Sequence, residues 1–299
     1  MSKNSITKND NNNIKLSIAI PTYNRCNYLM ELIPNLLEQC YKADKNYTDI
    51  EVIINDNAST DATYEYILKN FNNNKRIKYY RNPENIGGDA NFIKSVERAN
   101  GKYVWLFGDD ELLEDNAMVK ILNVINKYSS SLIIVKDESY NMGLHHSQLF
   151  RNYSDLVSFM YKKNPHFFLA HTLITANIFL RDIFNIKRAN NFILTSYGHM
   201  YTIMEKLKDG GSIYVFNIPI IRVRKYRAKF AQPPKNLLFK QVKYINYIGN
   251  IYENTNIKIY SYKFLFLNLL KQLFYKVIYK IYKVKIVKKM YKKLKGRLF

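Results

Sequence analysis

Three consecutive carboxylates, Asp109, Asp110 and Glu111, follow an aromatic and aliphatic run at 103–107 after a single glycine, Gly108. Adjacent anions repel one another, and a hard divalent cation with oxygen ligands, Mg²⁺ or Mn²⁺, is the favourable way to hold them together. Such an ion would also neutralise a leaving diphosphate. A solvated acidic turn before the next helix is the plainer alternative. The position after a buried strand favours the metal.

Polar side chains also follow two other predicted strands. Pro21 and Thr22 come after the strand at 16–20, and Asp56 comes after the strand at 50–54. Ligands of an open parallel sheet bind at the carboxyl ends of its strands, where loops and helix N-termini converge. Asp56 could accept hydrogen bonds from a nucleobase imide or a ribose hydroxyl, and it could equally form a turn or a helix cap. The sequence therefore predicts a ligand site at this edge.

The elements that must position these residues form a predicted α/β fold. Short β-rich runs alternate with helical patterns in the first half, which is typical of a Rossmann-like, mostly parallel sheet flanked by helices. The pattern after residue 141 is weaker and indicates an α+β half, with a strand at 171–180 and a helix at 199–207. The glycines at 87–88 lack the surroundings of a dinucleotide or P-loop motif. We predict a flexible leader at 1–13, an α/β half at 14–140, an α+β half at 141–232 and a basic helical region at 233–299.

The charge of the chain is strongly polarised. Its 299 residues carry 46 Lys and Arg against 24 Asp and Glu, a formal charge of +22. Residues 1–140 hold 17 basic and 19 acidic residues, whereas residues 258–299 hold 13 basic residues and no acidic one. The segment at 258–295 has the pattern of a basic amphipathic helix, which favours an anionic membrane surface over packing against the protein's own core.

Other features of the composition exclude several classes of protein. Cys26 and Cys40 are the two cysteines and do not have the spacing of a zinc site or a disulfide framework. The polar stretch at 1–13 lacks the apolar segment of a secretory signal, and no run of about 18 apolar residues predicts a membrane span. We therefore expect a cytoplasmic protein, peripheral on the inner face of the cytoplasmic membrane.

Four motifs stand in order along the first part of the chain: SIAIPTYNR at 17–25, INDNASTD at 54–61, NIGGDAN at 85–91 and LFGDDE at 106–111. Together they resemble the family 2 glycosyltransferases, which have a GT-A fold. The resemblance is strong over residues 14–140 and weak to about 227. It implies a nucleotide-sugar donor, a divalent metal and an inverting transfer to a glycan or lipid-linked acceptor, in the synthesis of a bacterial surface polysaccharide, capsule or lipopolysaccharide.

The resemblance assigns a role to each matched position. It implies that Pro21, Thr22 and Asp56 line the pocket of the base and ribose. Asn85 would border the nucleotide, and Asp109 would contact the ribose or support the metal ligands. The half at 14–140 would thus bind the donor, and the half at 141–232 would bind the acceptor.

The metal motif departs from the family pattern. Gly108 stands where the family usually has its first carboxylate, which leaves Asp110 as the expected direct ligand with Glu111 beside it. Asn57 also replaces a usual aspartate. The expected cofactor is Mn²⁺ or Mg²⁺.

The acceptor half lacks the carboxylate that commonly acts as general base in this family. His199 occupies the matching stretch and could serve as base, although a structural histidine is the plainer interpretation. Asp182 and Asp209 are weaker candidates. Farther along, Arg222, Arg224 and Arg227 could contact phosphate groups, or could belong to a solvated basic loop.

Two other functions fit parts of the sequence. A sugar-phosphate nucleotidyltransferase can share this sheet architecture, but its glycine- and lysine-rich phosphate loop is absent. A nucleic-acid binder is suggested by the charge alone, but the basic residues avoid the half that carries the motifs. We therefore expect no nucleic-acid partner. The predicted partners are the nucleotide-sugar donor, the acceptor and an anionic membrane surface.

Overall fold

The computed structural model describes residues 14–138, 140, 142–163, 173–224 and 237–253. Strands and helices alternate through its first part, as the sequence predicts. These elements are β1 (Leu16–Thr22), α1 (Cys26–Ala43), β2 (Ile50–Asp56), α2 (Thr63–Phe71), β3 (Ile77–Arg81), α3 (Gly88–Glu97), β4 (Tyr103–Leu106), β5 (Glu111–Leu113), α4 (Ala117–Tyr128) and β6 (Leu132–Ile134).

Shorter elements follow, and short 3-10 turns at Ile174–Ala176 and Arg181–Ile183 flank the strand at Asn177–Leu180, which is β8. The remaining elements are β7 (Gln148–Phe150), α5 (Tyr153–Lys163), β8 (Asn177–Leu180), α6 (Ile186–Asn190), α7 (Gly198–Lys208), β9 (Ile213–Val215), β10 (Ile221–Val223) and α8 (Leu237–Ile251).

Eight of the described strands form one sheet in the order β3-β2-β1-β4-β8-β6-β9-β7. The first four strands run parallel, whereas β8 is antiparallel to both of its neighbours, and β7 is antiparallel to β9. Every residue of β1 and β2 is buried, as expected for parallel strands covered on both faces. The predicted mixed α/β fold is confirmed, and one sheet runs through both of the predicted halves.

The central strands are fixed by close backbone contact and by buried charge. A Cβ atom on Gly101 would lie 2.6 Å from the backbone nitrogen of Ser17, so only glycine fits there. Glu51, on β2, is buried and accepts hydrogen bonds from the side chains of Ser17 and Lys78. Burial alone would raise the pKa of Glu51, but these bonds and one from the Asn100 backbone outweigh it and lower that pKa.

The structure corrects two details of the predicted elements. The strand expected at 171–180 begins only at Asn177, after a 3-10 turn. Glu111 lies on the short strand β5, which pairs with β10 and which the sequence does not predict. A strand of three residues is too short to show a hydrophobic period, which is why the sequence did not predict β5.

Contacts between residues divide the chain into two compact units, Met1–Gln232 and Pro233–Phe299. The helix α8 is the described part of the second unit. The amphipathic helix predicted at 258–295 lies outside the described residues. None of the helices in the described part is long and apolar enough to cross a membrane.

Candidate active site

A cleft of about 570 Å³ opens where β1, β2 and β4 end. Loops after these three strands line it together with the start of α3 and the segment before β8. Its lining residues are Pro21, Thr22, Tyr23, Arg25, Asn57, Asn85, Gly87, Gly88, Asn91, Phe92, Gly108, Asp109, Asp110, Glu111, Leu173, Ile174 and Thr175. The motifs predicted to share one edge of the sheet therefore meet in one cavity.

Hydrogen bonds tie the loops after β1 and β2 together. The backbone nitrogen of Asn24 donates to Ser59 Oγ at 2.9 Å, and Asn24 Oδ1 accepts from the backbone nitrogen of Thr60 at 2.7 Å. Asn24 and Ala58 have φ angles of 53° and 60°, in the left-handed region that residues other than glycine seldom adopt. The two loops thus have a fixed, partly strained shape at the mouth of the cleft.

Asp109 is held on the wall of the cleft by Thr22 and Arg25. Thr22 Oγ1 donates to Asp109 Oδ2 at 2.8 Å, and Arg25 Nη1 lies 3.7 Å from Asp109 Oδ1. Burial raises the pKa of Asp109 to about 6, and the neighbouring Asp110 adds to the rise, while Arg25, Thr22 and Arg224 oppose it. Asp109 is therefore mostly ionised at neutral pH.

Three side-chain oxygens surround a small space above Gly108. A Cβ atom there would lie 3.1 Å from Thr175 Oγ1, 3.4 Å from Asp110 Oδ1 and 3.7 Å from Glu111 Oε2. Because glycine has no Cβ, this space stays open. Hydroxyl and carboxylate oxygens are the ligands that Mg²⁺ and Mn²⁺ take, so the predicted residues Asp110 and Glu111 fit such an ion.

The protein would supply only part of the coordination shell of that ion. Among the described residues, no group of three His, Cys, Asp or Glu side chains could hold a metal. Mg²⁺ commonly binds through one or two carboxylates together with the phosphate oxygens of a substrate. This donor set suits an ion that arrives with a diphosphate.

A network of buried asparagines forms another wall of the cleft. Asn91 Oδ1 accepts from Asn55 Nδ2 at 2.7 Å and from Asn82 Nδ2 at 2.9 Å, and Asn91 Nδ2 donates to the Asn55 carbonyl at 3.2 Å. Asn82 Nδ2 also donates to Asn57 Oδ1 at 3.1 Å, and Asn57 Nδ2 donates to Asn85 Oδ1 at 2.7 Å. One chain of amides thus links α3 to the loop that carries Asn85.

Backbone N–H groups fix which way the side-chain amides of Asn57 and Asn85 point. The backbone nitrogen of Ile86 donates to Asn57 Oδ1 at 3.0 Å, and that of Gly87 donates to Asn85 Oδ1 at 2.9 Å. An N–H group can only donate, so both amide oxygens must face it. Asn85 Oδ1 therefore accepts two hydrogen bonds inside the network, which leaves its Nδ2 group as the donor for a ligand.

Asp56 does not line the cleft, although the sequence places it beside the nucleotide. Its carboxylate is fully buried, accepts from the backbone nitrogen of Ser59 at 2.9 Å and from the Tyr79 hydroxyl at 2.6 Å, and lies 3.6 Å from Arg81 Nη1. Burial and Asp56 itself raise the pKa of Tyr79. In the described geometry Asp56 shapes the loop that carries Asn57.

His199, Arg222 and Arg224 also lie outside the cleft lining. His199 is 4% exposed, and its ring meets Phe92 edge-on at 6.4 Å between centroids. Arg222 is exposed on β10. Arg224 donates to the Tyr28 carbonyl at 2.7 Å. Arg227 lies outside the described residues.

Sequence reasoning missed two cleft residues. Arg25 belongs to the motif at 17–25, and the signal that could mark it is a cation in a loop after a strand whose end is predicted to meet the acidic triplet. Thr175 could not be found, because the loop before β8 carries no motif and reaches Gly108 only in the folded protein, where the Gly108 backbone nitrogen donates to Thr175 Oγ1 at 2.8 Å.

Comparisons of this sequence with protein families and with known proteins agree with one another. Residues 17–186 match the family described as Glycosyl transferase family 2. The abequosyltransferase RfbV of Salmonella typhimurium is 29% identical over 262 residues, which cover 81% of this chain and 77% of that protein. The poly(ribitol-phosphate) β-N-acetylglucosaminyltransferase TarS of Staphylococcus aureus is 26% identical over 129 residues, which cover 43% of this chain and 22% of that protein.

Solved structures share the fold. The structure of S. aureus TarS 1–349 in complex with UDP-GlcNAc has a TM-score of 0.58 at 18% identity, and the match covers 84% of this chain and 70% of that one. The mannosyltransferase PcManGT of Pyrobaculum calidifontis, in complex with GDP-Man and Mn²⁺, has a TM-score of 0.50 at 16% identity, with 90% and 82% covered.

Proposed function

This chain belongs to glycosyl transferase family 2 and is a glycosyltransferase, and we propose that it transfers a sugar from a nucleotide-diphosphate sugar to a glycan or lipid-linked acceptor. The observation that carries the proposal is the cleft at the ends of β1, β2 and β4, where Asp110, Glu111 and Thr175 oxygens surround the space above Gly108. The relatives RfbV, an abequosyltransferase, and TarS, a poly(ribitol-phosphate) β-N-acetylglucosaminyltransferase, support a surface polysaccharide or lipopolysaccharide as the product.

In this proposal Asp110 and Glu111 hold Mn²⁺ or Mg²⁺ with the diphosphate of the donor. When bound, the ion neutralises charge on the leaving nucleoside diphosphate. Asn85 donates its Nδ2 hydrogen to the nucleotide, and the asparagine network keeps that group pointed at the ligand. Thr22 fixes the carboxylate of Asp109, which in this proposal contacts the ribose.

The transfer itself is a single displacement with inversion. An acceptor hydroxyl attacks the anomeric carbon, the bond from that carbon to the diphosphate oxygen breaks, and a base takes the proton of the hydroxyl. His199 remains our proposed base. It lies at the start of α7 and contacts Phe92, which lines the cleft.

The test of the donor and metal is a panel of UDP-, GDP-, CDP- and dTDP-sugars titrated with and without Mn²⁺. One nucleotide class should bind in the presence of the metal, and turnover should release the nucleoside diphosphate. Asp110→Ala should reduce release at least a hundredfold. Asp115→Ala, an exposed carboxylate outside the cleft, is the matched control and should keep full activity. Release of pyrophosphate would instead indicate a nucleotidyltransferase, and full activity of the Asp110 variant would refute the metal assignment.

We also propose that the protein acts on the inner face of the cytoplasmic membrane. The basis is the basic run at 285–297, which anionic lipid would attract with about 1 kcal/mol per basic residue. The full chain should bind vesicles that contain phosphatidylglycerol, and binding should weaken with salt. Replacing Lys288, Lys289 and Lys292 with glutamate should abolish it, and unchanged binding would refute this role of the tail.

A further inference from the structure

We propose that Arg25 binds the diphosphate of the donor and stabilises the leaving nucleoside diphosphate beside the metal. This inference rests on the proposed function, because it names a further residue for the same cleft.

Arg25 directs a hydrogen-bond donor at the cleft without a protein acceptor in reach. Its Nη1 atom is buried and makes no hydrogen bond within the described residues. The nearest carboxylate oxygens, Asp109 Oδ1 at 3.7 Å and Asp110 Oδ2 at 3.6 Å, are too far for hydrogen bonds to Nη1 and form only ion pairs with it. A buried donor in this state costs free energy, which a phosphate oxygen would offset with a charge-assisted hydrogen bond.

Neighbouring groups hold the guanidinium in place for this contact. The Arg25 Cζ atom lies 5.0 Å from the centroid of the Tyr28 ring, a cation–π contact. Arg224 contacts the same ring at 5.0 Å and is anchored by the Tyr28 carbonyl at 2.7 Å and by Glu31 at 3.2 Å. The flat fork of Arg25 is therefore positioned before any ligand enters, which lowers the entropy lost on binding.

The negative charge of the cleft also favours a cation at the position of Arg25. Among the described residues that line the cleft, Asp109, Asp110 and Glu111 are anionic and Arg25 alone is cationic. A diphosphate that enters beside three carboxylates is repelled by them. A bound divalent ion removes part of that repulsion, and Arg25 removes more of it from the side of the loop after β1. A guanidinium can also bind two phosphate oxygens at once through its planar fork.

The test compares nucleoside diphosphates with monophosphates, so that the contribution of the diphosphate to the affinity is measured apart from that of the nucleoside. UDP, GDP, CDP and dTDP, and the matching monophosphates, are titrated calorimetrically into the full chain at saturating Mn²⁺. For the nucleotide that binds, Arg25→Gln should weaken the diphosphate at least tenfold and the monophosphate less than threefold. Arg25→Lys should recover part of the loss, since a point charge remains. Arg98→Gln is the matched control, because the Arg98 guanidinium also lies over a tyrosine ring, at 4.8 Å, but outside the cleft lining.

A second measurement does not depend on the nucleotide. Mn²⁺ titrated alone should bind Arg25→Gln more tightly than the parent protein, because a cation 3.6 Å from Asp110 Oδ2 is gone. Equal weakening of diphosphate and monophosphate, with unchanged Mn²⁺ affinity, would show that Arg25 only holds the loop and would overturn the proposal. If the parent protein binds none of the four diphosphates, the proposed function itself fails.

Discussion

The asparagine network allows the most quantitative prediction. Replacement of Asn91 with alanine removes three side-chain hydrogen bonds, two accepted from Asn55 and Asn82 and one donated to the Asn55 carbonyl. Asn91 is 3% exposed, so water does not readily replace them. At about 1 kcal/mol each, the loss is about 3 kcal/mol. That is a large share of the stability of a typical domain, about 5–15 kcal/mol.

The assay is equilibrium unfolding in urea, followed by circular dichroism. The matched control is Asn70→Ala, which removes a hydrogen bond to the Tyr66 carbonyl at 2.8 Å from an exposed helix position. That change should cost less than about 0.5 kcal/mol. Asn91→Asp keeps both accepted hydrogen bonds and places a negative charge against the Asn55 carbonyl, so it should also destabilise. A loss for Asn91→Ala no larger than that of the control would refute the network as a source of stability.

Two further predictions concern the sheet, and each is checked by urea unfolding. Gly101→Ala should cost at least about 2 kcal/mol, because its Cβ would lie 2.6 Å from the backbone nitrogen of Ser17. Gly88→Ala, where no atom lies within 4 Å of the added Cβ, should leave stability within about 0.5 kcal/mol, and equal losses for the two variants would contradict the steric argument. Because the folded state lowers the pKa of Glu51, its contribution to stability is present above about pH 4.3, the ordinary value, and is lost as the pH falls through the lowered one. Glu51→Gln should therefore be less stable than the parent at pH 7, and this difference should shrink toward pH 3; a constant difference would show that the ionised Glu51 carboxylate does not stabilise the fold.

Much of the half at 14–140 could be predicted from the sequence. The alternation of short buried strands with helices follows from local hydrophobic periodicity, and parallel pairing brings the strand ends to one edge. Thr22 and Asp110 are therefore expected in one site, the family resemblance adds Asn85, and all three line the cleft. The half after residue 141 was less predictable, because strands such as β7 have only three residues.

What the sequence by itself determined was the chemistry available at the edge of the sheet: carboxylates after β4, amides after β2 and β3, and a hydroxyl at the end of β1. Residue type and local spacing are enough for that. Only the tertiary structure decided which groups face the ligand. It buried Asp56 against Tyr79, brought Thr175 to Gly108 and placed Arg25 beside Asp109. The two residues of each contact lie between 23 and 84 positions apart in the chain. Such contacts depend on tertiary packing, which a local sequence pattern does not predict.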